Sequence, residues 1–332
     1  MPEAENQERT LTYVASINEG VREVLLEQDN AFVAGEDVAQ AGGVFGHYGG
    51  LLAEFGPERI IDTPISEKAL FGLGVGASAT GCRPIIDLMF MDFMGVCMDE
   101  IANQMAKMRF MFGGGATLPV TVLTMSGGGM SMAAQHSQCL EAWLAHLPGL
   151  KVLMPTDAHD AKGMIIAAAR DDNPVFVILN KASLGRKAAV PEGAYEVKIG
   201  KAKVVREGSN FTIVTIGSMV YEALVAADQL ADSGLDVEVI DVRSIQPFDS
   251  ETVIDSIKKT HRGLVAHEAV QFGGLGGEIV AQIQEQAFDY LDAPIARIGA
   301  PFCPVPFSPP LEKVYLPNAE DIVSKIKGTL GI

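Results

Sequence analysis

Two residues in this chain stand where a side chain could move a proton. Glu67 lies in PISEKALFGLG, an apolar setting at the junction of a strand and a helix. A partly buried carboxylic acid there could bond a ring nitrogen of a ligand. Burial would raise its pKa towards the range useful for proton work. The plainer reading is a first-turn acid that favours the helix dipole. His136 lies in AAQHSQ, just past the glycine run SGGG at 126–129. A lone histidine is usually a satisfied structural residue, yet this setting between Gln135 and Ser137 also suits an active-site role. His47, in a second glycine-rich stretch, has a weaker claim. His267 is followed by Glu268 just before FGGLGG and reads as a loop histidine beside an exposed acid. The SGGG run could form an anion-binding nest. It lacks the Lys-Ser/Thr of a phosphate loop, and no G-x-S-x-G elbow occurs anywhere.

The elements that must position these residues alternate between strand and helix. Helical periodicity covers 12–28, and AFVAG at 31–35 is a buried strand. The glycine-rich segment 38–57 is a loop long enough to be functional. A strand at 59–65 runs into DTPIS, and a helix starts at Ser66, capped by Ser66 or Thr63. Gly72, Gly74, Gly76 and Gly81 lie inside that helix, so they are packing positions and not a dinucleotide fingerprint. A strand at 84–90 precedes a helix at 93–112, in which Met94, Met98, Met105 and Met108 form one adaptable core or interface face. Strand 119–124, helix 138–145, strand 151–154, helix 157–171 and strand 174–179 complete the first half. The second half repeats the rhythm: strands at 211–217, 236–242, 263–268 and 295–299, with helices at 218–233, 249–259 and 276–291. A Pro-rich stretch then precedes a last helix at 318–328. The βαβα order predicts an α/β fold of two domains with mostly parallel sheets flanked by helices. The expected division is a disordered arm at 1–10, a first domain at 11–190, a connecting region at 191–205 and a second domain at 206–332.

Composition narrows the function classes. The chain has 332 residues, 48% hydrophobic and 20% charged, enough for a large core without disulfide staples. A net charge of −17 argues against a nucleic-acid footprint and against an anionic membrane surface. It provides solubility, or an acidic face for a basic partner domain. Cys82, Cys97, Cys139 and Cys303 form no C-x-x-C pair, so zinc and dithiol chemistry are not expected. Free thiols in a reducing cytoplasm are. The polar start MPEAENQERT is unlike a signal peptide, and no 18-residue apolar run is present to span a membrane.

Read together, GED (35–37), DTPISE (62–67), RPIIDLMFMDF (83–93), AAQHSQ (133–138), HLPGLKV (146–152), DAKGMI (160–165), RDDNPV (170–175) and PVPFSPPLE (304–312) resemble one family. It is the β subunit of the thiamine-diphosphate-dependent first component of 2-oxoacid dehydrogenase complexes. The resemblance covers about residues 10–330. It implies a transketolase-like pyrimidine-binding domain followed by a transketolase C-terminal-like domain. Pyruvate and acetoin dehydrogenases share these motifs, so the substrate stays open between them.

Carried over by position, the resemblance implies that Glu67 bonds the pyrimidine ring of thiamine diphosphate and that Ile65 and Phe93 wall it. Glu36 of GED joins the cofactor-binding set, and His136 stands near the substrate and the lipoyl entrance. RDDNPV is similar to a monovalent-cation loop. Backbone oxygens of Ala168, Asp171 and Asn173, with Val120, would hold potassium; a plain helix-to-strand turn is the alternative. The GDG…Asn set that binds magnesium and the diphosphate is missing from this sequence. The implied partners are therefore an α subunit holding the magnesium, in an α2β2 heterotetramer, and a lipoyl-bearing dihydrolipoamide acyltransferase. Two other readings stay open: a split transketolase subunit moving ketol units between sugars, and a non-catalytic scaffold on the same fold.

Overall fold

A computed structural model describes residues 9–332. The expected arm falls mostly outside these residues, but its last two positions do not. Arg9 pairs with Glu19, and strand β1 (Thr10–Thr12) runs antiparallel to β8 (Lys187–Ala189). Thr12 then caps α1 (Tyr13–Glu27) by accepting from the Ala15 amide at 3.2 Å. Tyr13, Ile17, Val21, Val24 and Leu25 bury one face of α1. That spacing of three and four residues makes the stripe that packs on α6 (Ala158–Arg170).

Between these two helices in sequence lie β2 (Ala31–Gly35), α2 (Leu51–Phe55), β3 (Ile60–Asp62), α3 (Glu67–Ala79) and β4 (Arg83–Phe90). Then follow α4 (Met108–Met111), β5 (Thr121–Ser126), α5 (Glu141–Ala145) and β6 (Lys151–Leu153). β7 (Val175–Asn180) comes after α6. Strands β5 and β7 are buried at every position. Their near-continuous apolar sequence is what a parallel strand covered on both faces requires. The helix expected at 93–112 is broken into a 3₁₀ stretch (Met91–Cys97), a π-helical turn (Glu100–Met105) and the single turn of α4. Met94 and Met105 are buried and Met98 and Met108 pack against the core, so the methionines serve as core there.

The second unit contains β9 (Lys203–Arg206), β10 (Phe211–Thr215), α7 (Met219–Ala231), β11 (Val237–Asp241), β12 (Ser244–Gln246) and α8 (Ser250–Thr260). It closes with β13 (Gly263–Val270), α9 (Leu275–Ala287), β14 (Ala296–Ala300), α10 (Pro309–Tyr315) and α11 (Ala319–Leu330). Its sheet has the order β14-β13-β10-β11-β9, parallel except for β9. Strand β9 begins inside the connection expected at 191–205.

The first sheet has the order β12-β6-β7-β5-β4-β2-β3. Its edge strand β12 comes from the second unit and pairs antiparallel with β6. One apolar cluster runs through both units, from Ala34 and Phe71 to Ile279 and Ile295. The two sheets are therefore packed as a single body. Among the described residues, no helix is long and apolar enough to cross a membrane.

Candidate functional site

The residues singled out above gather at the carboxyl edge of the first sheet, where open parallel sheets place their ligands. Glu36 follows β2, Glu67 opens α3 just after β3, Phe93 follows β4 and His136 follows β5; Lys181, which was not among them, follows β7 at the same edge. Glu67 occupies the first turn of α3, whose preceding residue Ser66 makes no side-chain cap. The free end of the helix dipole therefore faces this carboxylate.

Glu36 lies close to Glu67. Burial raises the Glu36 pKa, the charge of Glu67 adds to the rise, and the Ser66 amide pulls the other way. Its Oε1 is buried with no hydrogen-bond partner. The next residue, Asp37, is held at φ 58°, a left-handed conformation that a non-glycine residue adopts at a cost of roughly 1–2 kcal/mol.

Cys97 joins the acids to the aromatic side. Its Sγ contacts the Phe93 carbonyl at 4.0 Å, and burial together with the charge of Glu67 pushes its thiol up to about 12. The Phe93 ring meets Phe90 edge to face at 5.6 Å and His136 at 5.4 Å, and Phe90 meets His136 at 5.0 Å. Mutually perpendicular rings at these distances are the favoured aromatic arrangement. They fix the plane of the His136 imidazole. Ile65 is 83% exposed. In this chain alone it walls nothing, and a wall there needs a second surface.

The His136 loop is tied down by residues that the sequence reading passed over. Lys181 is buried, and its Nζ donates to the His136 carbonyl and lies 5.4 Å from the Phe90 ring centroid. Burial holds its ammonium below the ordinary lysine range, against the pull of Asp92, Cys139, Glu268 and Glu312. Asp92 accepts from the Gln138 amide at 3.1 Å and from its side chain at 3.0 Å. The glycine run does bind anions, but they are the protein's own. Glu268 accepts from the Gly128 amide, from Asn180 Nδ2 at 3.0 Å and from Ser218 Oγ at 2.6 Å. Glu312 accepts from the amides of Gly129 and Ser131, both at 2.9 Å. Gly127, at φ 88°, must be glycine, because a Cβ there would lie 2.7 Å from both Asn180 Nδ2 and Glu268 Oε1. Ser131 and Ala133 are also left-handed, at φ 54° and 60°. Charge-assisted bonds contribute about 1.5–3 kcal/mol each, enough to offset roughly 1–2 kcal/mol of strain per residue. A sequence signal for Lys181 existed: a lysine directly after the apolar strand VFVILN stands at the ligand edge of the sheet.

Glu141 is a buried acid in the same region. Burial pushes its carboxyl up to about 7, and its Oε2 has no partner. The folded chain therefore retains a proton that the unfolded chain, with its ordinary glutamate near 4.5, has lost. The corresponding stability is fully present below pH 4.5 and is lost as pH rises through 7. Glu141→Gln removes this liability. It should stabilise the chain by roughly 2–3 kcal/mol at pH 8 and far less at pH 5. Urea unfolding at both pH values checks this, and an equal effect at the two would rule it out.

Two expectations fare differently. His47 is buried, with Nε2 3.1 Å from Asp87 Oδ2, which also accepts from the Tyr48 hydroxyl at 2.7 Å. Its Nδ1 is buried without a partner, and the residue lies in the core, in a sequence motif other than those of Glu67 and His136. At the cation loop, the Val120 carbonyl accepts from Val175, that of Ala168 from Asp171, and that of Asp171 from Arg83. Arg109 donates to Asn173 Oδ1 at 2.8 Å. A potassium ion would have to share the Asp171 carbonyl with the Arg83 guanidinium, and the Val120 and Ala168 carbonyls with backbone amides.

Comparison with known proteins identifies the family and the fold. The family model described as the transketolase pyrimidine binding domain matches residues 9–187, and the transketolase C-terminal domain matches 200–322. The acetoin:2,6-dichlorophenolindophenol oxidoreductase subunit beta of Bacillus subtilis is 43% identical over 335 residues, covering 97% of this chain and 98% of its own. The pyruvate dehydrogenase E1 component subunit beta of Rickettsia felis is 42% identical over 317 residues, covering 96% and 97%. A solved split-gene transketolase, an inactive β4 tetramer, shares the fold with a TM-score of 0.77 at 24% identity, covering 97% of this chain and 98% of that one.

Proposed function

Because the chain belongs to the transketolase-like β-subunit family of the acetoin and pyruvate dehydrogenases, we propose that it is the β subunit of a thiamine-diphosphate-dependent 2-oxoacid or acetoin dehydrogenase. The enzyme would decarboxylate a pyruvate-like 2-oxoacid, or cleave acetoin, and reductively acylate the lipoyl group of an acyltransferase. The observation that carries this reading is a half-built site. Glu67 and Glu36 with its orphaned oxygen sit near the ring cluster of Phe90, Phe93 and His136. These residues suit an aminopyrimidine, which needs a carboxyl partner for a ring nitrogen and apolar walls. Amides of the glycine run are already bonded to Glu268 and Glu312, so that loop is not a free phosphate cradle.

Thiamine diphosphate, when bound, supplies the electron sink that carbon–carbon cleavage requires. This chain contributes the proton chemistry and the shape. Glu67 would hold a proton at the pyrimidine ring, and Glu36 would set the charge next to it. Phe93 and Phe90 would exclude water, and the fixed imidazole of His136 would orient or protonate the acyl group. The diphosphate, its magnesium and the second wall beside Ile65 would come from an α subunit in an α2β2 heterotetramer. Potassium at 168–173 would be structural only. Four unpaired cysteines suit a reducing cytoplasm.

The test is reconstitution. The chain mixed with a GDG-bearing α subunit should bind thiamine diphosphate with magnesium, whereas neither chain alone should do so tightly. The assembly should then acylate lipoamide from pyruvate or acetoin. Ketol transfer between sugar phosphates would instead identify a split transketolase. No binding by the mixture would leave the scaffold.

A further inference from the structure

The motif PVPFSPPLE at 304–312 has no part in the chemistry proposed above. It starts α10. Pro309 and Pro310 occupy the first two helical positions, where a proline's fixed φ suits the helix and its missing N–H costs nothing. The helix then has two faces. Glu312 and Tyr315, three residues apart, are buried, whereas Leu311 and Val314 are 60% and 82% exposed. Tyr315 packs with Ala300 and Val305, which anchors α10 to the second unit.

Glu312 points the other way, into the first unit. Its Oε1 accepts from the Gly129 amide at 2.9 Å, and its Oε2 accepts from the amide and the hydroxyl of Ser131 at 2.9 and 3.2 Å. The glycine run is shaped to receive it. A Cβ on Gly128 would lie 3.0 Å from Leu316 Cδ2 and 3.3 Å from Glu312 Oε1. Gly129 and Ser131 are left-handed, at φ 91° and 54°, and a turn bent in this way aims its amides at one anion. Without that anion Ser131 has nothing to offset its strain. Its return to negative φ would redirect the chain that leads, five residues on, to His136.

We infer that Glu312 is a positioning residue: it holds the turn at 129–131 and, through it, the seat of the His136 imidazole against Phe90 and Phe93. Placement of a side chain in the first unit thus depends on a helix of the second. The inference rests on the reading of His136 as a site residue.

Glu312→Gln tests it. The amide keeps the size of the side chain but turns an NH2 group towards a backbone donor, so one of the two amide bonds is lost. The full chain alone, followed by NMR, reports both steps. Amide exchange at Gly129 or Ser131 should accelerate at least about tenfold while β5 and β7 stay protected. The His136 Cε1–H resonance should move, because the ring leaves its perpendicular contacts with Phe90 and Phe93. In the assembly with an α subunit, kcat should fall about tenfold or more with little change in KM for pyruvate or acetoin. Ser131→Ala, which removes the hydroxyl bond alone, should shift the same readouts by less, and it carries the test if Glu312→Gln does not fold. The two substitutions together should add less than their separate effects, because both act through one contact. Unchanged exchange, faster exchange with the His136 resonance unmoved, or a moved resonance with parental kcat would overturn the inference and make Glu312 a strut of the fold. A parental assembly inactive towards both substrates would remove the proposed function instead, and exchange and the imidazole resonance would still decide on Glu312.

Discussion

Glu67→Gln in the reconstituted enzyme should lower kcat by about 10²–10⁴-fold, the range in which a positioned acid or base contributes. The substitution keeps the size and one acceptor oxygen of the side chain but removes its ability to exchange a proton. Its effect on stability should be small. Glu67 heads α3, where a carboxylate interacting with the helix dipole contributes about 0.3–1 kcal/mol. That is too little to unfold a chain whose core runs through both units. Activity and stability should therefore separate: urea unfolding of the variant stays within about 1 kcal/mol of the parent, and the heterotetramer still forms on a sizing column. Turnover of lipoamide with pyruvate or acetoin then reads the chemistry alone. A variant retaining near-parental turnover would remove Glu67 from the mechanism and with it the centre of the proposed function.

What the sequence made legible follows the physics of each element. Strands β5 and β7, buried on both faces, announce themselves as unbroken apolar runs, and α1 shows its stripe; both signals are local. The strand edges β1, β8, β9 and β12 are three or four residues long. Too short for an alternation to register, they are set by pairing with distant segments. The stretch 93–112 looked like one helix because its methionines recur at helical spacing; the 3₁₀ and π turns keep most of that face inward while breaking the axis. Glu67, Phe93 and His136 could be named because the chemistry resides in motifs. Glu268 and Glu312 could not, since each bonds a loop 140 or more positions away in the chain. A charged residue becomes a fixed partner only once tertiary packing desolvates it. The expected anion nest shows the same limit: its amides were legible and their occupant was not.

Lys181→Met tests whether that long-range packing serves the site. The residue is buried, and its ammonium stands among Asp92, Glu268 and Glu312. Methionine fills the space but removes the cation and its bond to the His136 carbonyl. Leaving the His136 carbonyl without its donor typically costs about 1–3 kcal/mol. The urea midpoint should fall accordingly. Loss of stability alone would not establish a positioning role, so the decisive reading is taken on fully folded variant in the cold. There His136, released from its tether, should lose its perpendicular contacts with Phe90 and Phe93. A displacement of about 1 Å can cost on the order of 10²-fold in rate, and it should appear in kcat more than in KM. Lys181→Arg, which keeps the charge and a donor, should recover much of the stability and part of the rate. A methionine variant with parental kcat would make Lys181 a strut for the fold and leave His136 to be placed by its aromatic neighbours alone.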